Sequence, residues 1–226
     1  MKIMKIPALA FLLVGFSTSL LSAQIVIDDF NQSVSTLTQI LPGTSTQTIA
    51  DAGIFGGTRD DSLSVVPVAS GNEFIGFLGF SNGNLTLSQG SEDEVFGALV
   101  YDDFTAVDLT SAGQNSVFSV DFISSDATTP LTNTLSISVT SGSSTATSFV
   151  QVPTVNNVGE VTLNFSNFAG IDFTSVDSVE LGFDFSSAPG RDIAINSFAV
   201  ASAVPEPSSA AIFCLVASGL LIRRRR

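Results

Sequence analysis

Between Ile25 and Val200 the apolar residues recur at every second position in short runs, and Gly, Asn, Ser and Asp cut the runs apart. Leu135, Ile137 and Val139 alternate with Ser136, Ser138 and Thr140, the period of a strand with one buried and one wet face. The same pattern predicts strands over Ile25–Phe30, Ser62–Val66, Glu73–Phe80, Asn84–Ser88, Val95–Tyr101 and Val117–Phe122. It continues over Thr134–Thr140, Ser148–Val152, Val161–Phe165, Val179–Phe185 and Ile193–Val200. No run carries a sustained helical period with caps, so a parallel sheet would lack its crossover helices. Eleven or twelve strands in one unit predict an all-β fold, an antiparallel β-sandwich of jelly-roll type over residues 24–200. Phe118, Phe122, Phe183 and Phe185 stand at alternating strand positions and are expected in its core. The Ser/Thr-rich stretch Thr140–Ser148 is expected to hold a hairpin turn and not a domain boundary.

The ends of the chain follow a different pattern. Lys2 and Lys5 precede an apolar run, Ala8–Leu21, that closes on Leu21-Ser22-Ala23. This is the three-part pattern of a secretory signal over 1–23, cut after Ala23 so that the mature chain starts at Gln24. The run is shorter than the ~20 residues a membrane-spanning helix needs. At the other end a linker over 201–209 contains Val204-Pro205-Glu206-Pro207-Ser208, followed by an apolar segment at 210–222 and then Arg223, Arg224, Arg225 and Arg226. The prolines hold Glu206 in an extended stretch outside any helix or central strand. The segment 210–222 is expected to be a single transmembrane helix. The four arginines form a basic cytoplasmic tail that resists translocation, which places the body on the opposite side of the membrane.

Taken together, these features resemble the PEP-CTERM sorting signal of bacterial exported proteins, with Pro205, Glu206 and Pro207 matching its defining triplet. The resemblance implies signal peptidase and Sec-type export machinery as partners, and an exosortase-like enzyme that recognises the triplet. It also implies transient anchorage in the inner membrane, then delivery to the cell surface or extracellular matrix of an exopolysaccharide-making bacterium. More faintly, the body resembles a recurring extracellular domain found in front of such tails, through Ile27-Asp28-Asp29-Phe30, Gly56-Gly57-Thr58-Arg59-Asp60, Tyr101-Asp102, Asp108-Leu109-Thr110 and Asp192-Ile193-Ala194-Ile195-Asn196. The first and last of these resemble the terminal strands of carbohydrate-binding jelly rolls, which lie side by side and often share a structural calcium. On that likeness Asp28, Asp192 and Asn196 are candidate oxygen ligands for Ca²⁺, which takes six to eight such donors. Asn196 stands where those families commonly carry Asp, and solvated polar groups at strand ends are the plainer alternative.

Composition narrows the chemistry. Of 21 acidic residues only Glu206 lies outside 24–203, and of eight basic residues only Arg59 and Arg191 lie inside, so the body carries a net charge near −18. Such a surface repels nucleic acid phosphates. The chain has no His or Trp, no Lys beyond Lys5, and a single Cys, Cys214, in the tail. That removes Ser-His-Asp and Cys-His catalysis, zinc sites built on N and S ligands, and any disulfide within the body. Carboxylates, hydroxyls, Tyr101 and two arginines remain, and no catalytic residue is assigned. Arg59 and Arg191 are each expected to be held by a neighbouring carboxylate such as Asp60 or Asp192. Glu92-Asp93-Glu94 and Asp60-Asp61 are read as solvated acidic loops, and the sequons at Asn31, Asn84 and Asn164 as accidental in a bacterium. The resulting expectation is a non-enzymatic exported protein with a structural or adhesive role. A carbohydrate-binding module for exopolysaccharide is the alternative, and a carboxylate-dependent glycan-acting enzyme the second alternative.

Overall fold

The computed structural model describes residues 24–32, 35–39, 42–67, 76–90, 93–186 and 190–203. The signal segment 1–23, the Pro205-Glu206-Pro207 motif, the apolar segment 210–222 and Arg223–Arg226 lie outside the described residues. Among the described residues no helix is long and apolar enough to cross a membrane.

Among the described residues thirteen strands form two antiparallel sheets. They are β1 (Ile25–Asp28), β2 (Ser35–Gln39), β3 (Gly43–Ala50), β4 (Thr58–Pro67), β5 (Gly76–Ser81), β6 (Asn84–Gln89) and β7 (Asp93–Tyr101). Then come β8 (Val117–Ser125), β9 (Leu131–Ser141), β10 (Ser144–Val152), β11 (Gly159–Asn164), β12 (Ser178–Asp184) and β13 (Ile193–Ala201). The first sheet has seven strands in the order β11-β8-β13-β6-β5-β2, with β1 lying beside β13, and the second has six in the order β10-β9-β12-β7-β4-β3. Each of the eleven runs read from the sequence contributes to a strand. The Asn82-Gly83 turn joining β5 to β6 has positive φ at both residues, the backbone that a two-residue hairpin requires and that Asn-Gly adopts readily.

Two strands, β2 and β3, carry no apolar alternation in Ser35-Thr-Leu-Thr-Gln39 and Gly43-Thr-Ser-Thr-Gln-Thr-Ile-Ala50. Both lie at sheet edges, where a strand has one neighbour and buries little of its own surface. Their partners β5 and β4 fix their register.

The core sits between the sheets. Leu63, Leu99, Leu135, Ile137 and Leu181 face inward from the six-stranded sheet, and Leu78, Phe80, Phe122 and Phe198 from the other, all buried. Phe118, Phe122, Phe183 and Phe185 are buried as expected. Towards one end Phe118 packs on Phe165, Phe168, Phe173 and Phe198 at ring-centroid distances of 5.2 to 6.1 Å, and Phe165 stacks flat on Phe173 at 3.9 Å. A 3₁₀ turn, Phe165–Asn167, with Phe168 directly after it, brings Phe165 and Phe168 onto Phe118 after β11 ends. Truncating a fully buried Phe removes its burial and leaves a cavity. Phe198→Ala is expected to lower stability by about 3–5 kcal/mol in urea unfolding, whereas Phe149→Ala, 51% exposed on β10, is expected to change it by less than about 0.5 kcal/mol.

Candidate functional site

Arg59 is buried between the sheets, 1% exposed. Counting back from Leu63 and Val65, the two-residue period of β4 places Asp61 and Arg59 on the same inward face. A break in the register of β1 between Val26 and Asp28 lets Ile27 and Asp28 both turn inward, as a bulge does. The guanidinium is thereby clamped: Nη1 pairs with Asp28, and Nε with Asp61, while Nη2 donates to Asp61 at 3.2 Å. Asp28 also accepts from the Tyr101 hydroxyl at 3.0 Å, the Gln32 amide at 2.7 Å and the Phe30 backbone N–H at 2.8 Å. Gln47 donates to Asp61 at 2.9 Å. The Arg59 Cζ lies 3.9 Å from the centroid of Phe80, a cation–π contact in a desolvated setting.

The titration behaviour follows from this geometry. Burial works against the Arg59 charge, but the Asp61 hydrogen bond and the surrounding negative groups outweigh it and hold the guanidinium above its ordinary value. Burial pushes Asp61 up, opposed by Arg59 and Gln47. Burial, then the Asp28 charge, push the Tyr101 phenol well above its ordinary value. These groups are engaged with one another inside the core, which makes the cluster a structural element and not a reactive centre.

The residues singled out in the sequence fall at separate places. Asp28 faces the core, whereas Asn196 is exposed on the outer face and donates to Asp121 at 3.0 Å. Asp192 precedes β13, and its carbonyl accepts from the Asp126 N–H at 3.1 Å. Asp28 lies opposite Phe198, six residues from Asp192 along the chain, or about 20 Å at the strand rise. The structure does not bring the three together, and among the described residues no group of three or more Asp, Glu, His or Cys side chains is placed to hold a metal. The expected arginine partners are corrected. Arg59 takes Asp28 and Asp61, while Asp60, pointing outward, accepts from Thr48 at 2.6 Å. Arg191 donates to the Asp126 carbonyl at 3.2 Å. Asp108 and Asp172 cap exposed turns, and the hydroxyls of Thr110 and Thr174 hold their carboxyls below the ordinary value.

The sequence reading missed the outer face of the six-stranded sheet. The register sets Phe149, Ser136, Gly182, Ala98, Ser62 and Thr46 in one row across all six strands. The four small residues from Ser136 to Ser62 make a trough floor about 14 Å long at the usual strand spacing. Residues two places along each strand form its sides, with Glu180, Val100, Asp60 and Thr48 on one and Asp184, Phe96, Ser64 and Thr44 on the other. At Gly182 a Cβ would lie 2.7 Å from the Ser136 hydroxyl oxygen and 3.3 Å from a Glu180 carboxylate oxygen, so glycine leaves room for both polar groups over the floor. One end deepens into a hollow of about 470 Å³ lined by Thr46, Thr48, Asp60, Ser62 and Val100, together with Gln47 and Asp61 of the buried cluster. At the other end stands the half-exposed Phe149 ring. A second hollow of about 420 Å³ lies on the seven-stranded sheet beside Ser119, Asp121, Glu160 and Ser197.

No protein-family model matches the chain, and no curated protein matches it. Among solved structures it is similar to a family 11 carbohydrate-binding module from Clostridium thermocellum, in complex with a β-1,3-1,4-mixed-linked tetrasaccharide (9% identity, 83% of this chain, 100% of that one, TM-score 0.37). It is also similar to the family 30 module of a cellulosomal cellulase of the same organism (14% identity, 82% and 99% coverage, TM-score 0.39). A third likeness is to the second N-terminal cellulose-binding domain of Cellulomonas fimi β-1,4-glucanase C (15% identity, 62% and 84% coverage, TM-score 0.31). At these scores the likeness is distant, and the chain's own residues carry the functional argument.

Two outcomes follow from the buried cluster. Arg59→Met leaves two buried carboxylates without a counter-charge and is expected to lower stability by about 3–5 kcal/mol in urea unfolding, against less than about 0.5 kcal/mol for Arg191→Met at the surface. Tyr101 is the only tyrosine, so phenolate absorbance reports it alone. Its raised pKa means that the folded state binds the phenolic proton more tightly than the unfolded state. Stability is therefore full below about pH 10 and falls as pH rises above it, and the folded protein should show no phenolate step at the ordinary value of about 10.

Proposed function

We propose that the chain is an exported, non-catalytic β-sandwich that holds polysaccharide on the outer face of its six-stranded sheet, in an adhesive role at the cell surface or in the matrix. The observation that carries this reading is the trough. Its floor is built of small residues, with the Ser136 hydroxyl and a Glu180 carboxylate oxygen standing over Gly182, and its floor and sides offer hydroxyls and carboxylates that match sugar hydroxyls. Phe96 and Phe149 supply ring surface for the apolar side of a sugar. Cross-strand pairs such as Thr44–Ser64 at 3.1 Å and Ser138–Thr147 at 2.8 Å fix hydroxyls in place along the face. The charge of the body favours a neutral or cationic polymer over an acidic one.

Delivery is part of the same proposal: removal of the signal after Ala23, recognition of Pro205-Glu206-Pro207 by an exosortase-like enzyme, and transient anchorage through 210–222 and Arg223–Arg226. The pattern of the two ends supports it, as does the pairing of Ile25 with Val200, which lets the ends of the described body leave side by side.

Affinity electrophoresis through gels containing exopolysaccharide from the producing cells tests the binding. The wild-type chain should be retarded. Ala98→Trp, which fills the trough from the solvent side, should abolish retardation without changing the unfolding midpoint. Phe149→Ala should weaken binding about 2- to 10-fold, the usual range for one aromatic contact. Thr162→Trp, exposed on the outer face of the other sheet, should leave binding unchanged. Retardation lost in Thr162→Trp and kept in Ala98→Trp would place the ligand on the wrong face for this proposal.

A further inference from the structure

We infer that β1 is a latch, a strand that closes the sandwich last and opens by itself without unfolding either sheet. It is four residues long and, among the described strands, pairs with β13 alone, through Ile25–Val200, Val26–Ala199 and Asp28–Phe198. No other strand pair depends on it. β13 is held independently by β8 along its whole length and by β6 over Ile193–Ile195. On its other side β1 touches the turn between β3 and β4, through the Asp28–Ile54 bridge and the Phe55 N–H donated to the Ile27 carbonyl at 2.8 Å. The strand is thus wedged between the two sheets with a single ladder partner.

What lies beneath β1 suits local opening. An apolar element lifted from a core exposes only apolar surface to water. Lifting β1 also removes Asp28 from Arg59 and Tyr101, leaving a guanidinium and a phenol that water can solvate. Arg59 keeps Asp61, on its own strand. When β1 is seated, the same polar groups satisfy one another, so the closed state is specific in register. Sub-global opening of this kind is expected of a short strand with one ladder partner at the edge of the solvent: Val26 is 43% exposed, while Ile27 and Asp28 are fully buried, so each opening breaks the Asp28 contacts.

The latch joins the first strand of the described body to its last. Closure therefore waits for residues 193–201 wherever the chain is made or moved. On the proposed export reading, a chain entering the outer compartment amino end first would stay open at Arg59 until its carboxyl-terminal strand had crossed.

Amide hydrogen exchange on the full chain, followed by mass spectrometry of its peptides, tests the latch. Val26→Gly weakens β1 from its solvent side without touching the core, and Asp28→Asn removes the charge while keeping the shape. Val26→Gly should speed exchange about tenfold in 25–28 and 198–200, with β4, β7, β9 and β12 unchanged, as local opening requires. Asp28→Asn should do the same while the far-ultraviolet β signal persists. Uniform acceleration across both sheets in Val26→Gly would overturn the inference, because β1 would then be part of the global unit. Unchanged exchange at 25–28 in Val26→Gly would overturn it as well. Neither readout involves a polysaccharide or processing of the ends, so failure here leaves the proposed function standing.

Discussion

The sandwich is organised around a single buried positive charge. Arg59 sits where a two-sheet protein normally has hydrocarbon, and a guanidinium there is tolerable only if its charge and its N–H groups are met. Asp61 meets it from its own strand, and Asp28 from the opposite sheet's first strand. Tyr101, Gln32 and Gln47 then satisfy the remaining carboxylate oxygens. This requirement ties β1, β4 and β7 to one another and sets how the amino-terminal strand must enter, with the bulge before Asp28 and the positive φ of Phe30 turning the chain beneath the guanidinium. An apolar cluster of the same volume could match its stability. What the ionic cluster adds is a unique geometry for the first strand.

Strand positions were legible wherever one face of a strand is buried, because burial imposes the two-residue period. Leu135, Ile137 and Val139 are fully buried where the alternation put them. The edge strands β2 and β3 escaped for the converse reason, since each needs only one neighbour and can be built from Ser, Thr and Gln. The arginine partners could not be read by adjacency. Asp60 is next to Arg59 in sequence, yet the pleat sends their side chains to opposite faces, and the alternation from Leu63 back to Asp61 and Arg59 was the signal available. Asp28 could not be found this way because its partner lies 31 residues away on another sheet. The trough was illegible because it is made by register: Gly182, Ala98 and Ser62 are unremarkable in their own strands and become a surface only when aligned.

The two features divide the molecule's polar chemistry. One arginine and two carboxylates are consumed inside, where they fix the fold. The acidic and hydroxyl groups of the six-stranded sheet's outer face remain in water, with no arginine or lysine of that sheet facing them. A face of this kind discriminates by shape and hydrogen bonding, and it disfavours anionic polymers. The terminal strands meanwhile pair within the seven-stranded sheet, where β1 lies beside the interior strand β13, and the trough is on the other sheet, so that a body held by its ends would leave that face free.

The proposed polysaccharide site is the outer face of the six-stranded sheet. Mapping backbone amide chemical shifts by NMR while soluble fragments of the producing cells' exopolysaccharide are added tests it residue by residue. Binding on this face should give a contiguous set of shifts at Ser62, Ala98, Ser136 and Gly182, extending to Thr46 and Phe149, with the seven-stranded sheet unmoved. Shifts centred on Ser119, Asp121 and Glu160, or no shifts at saturating fragment, would contradict it.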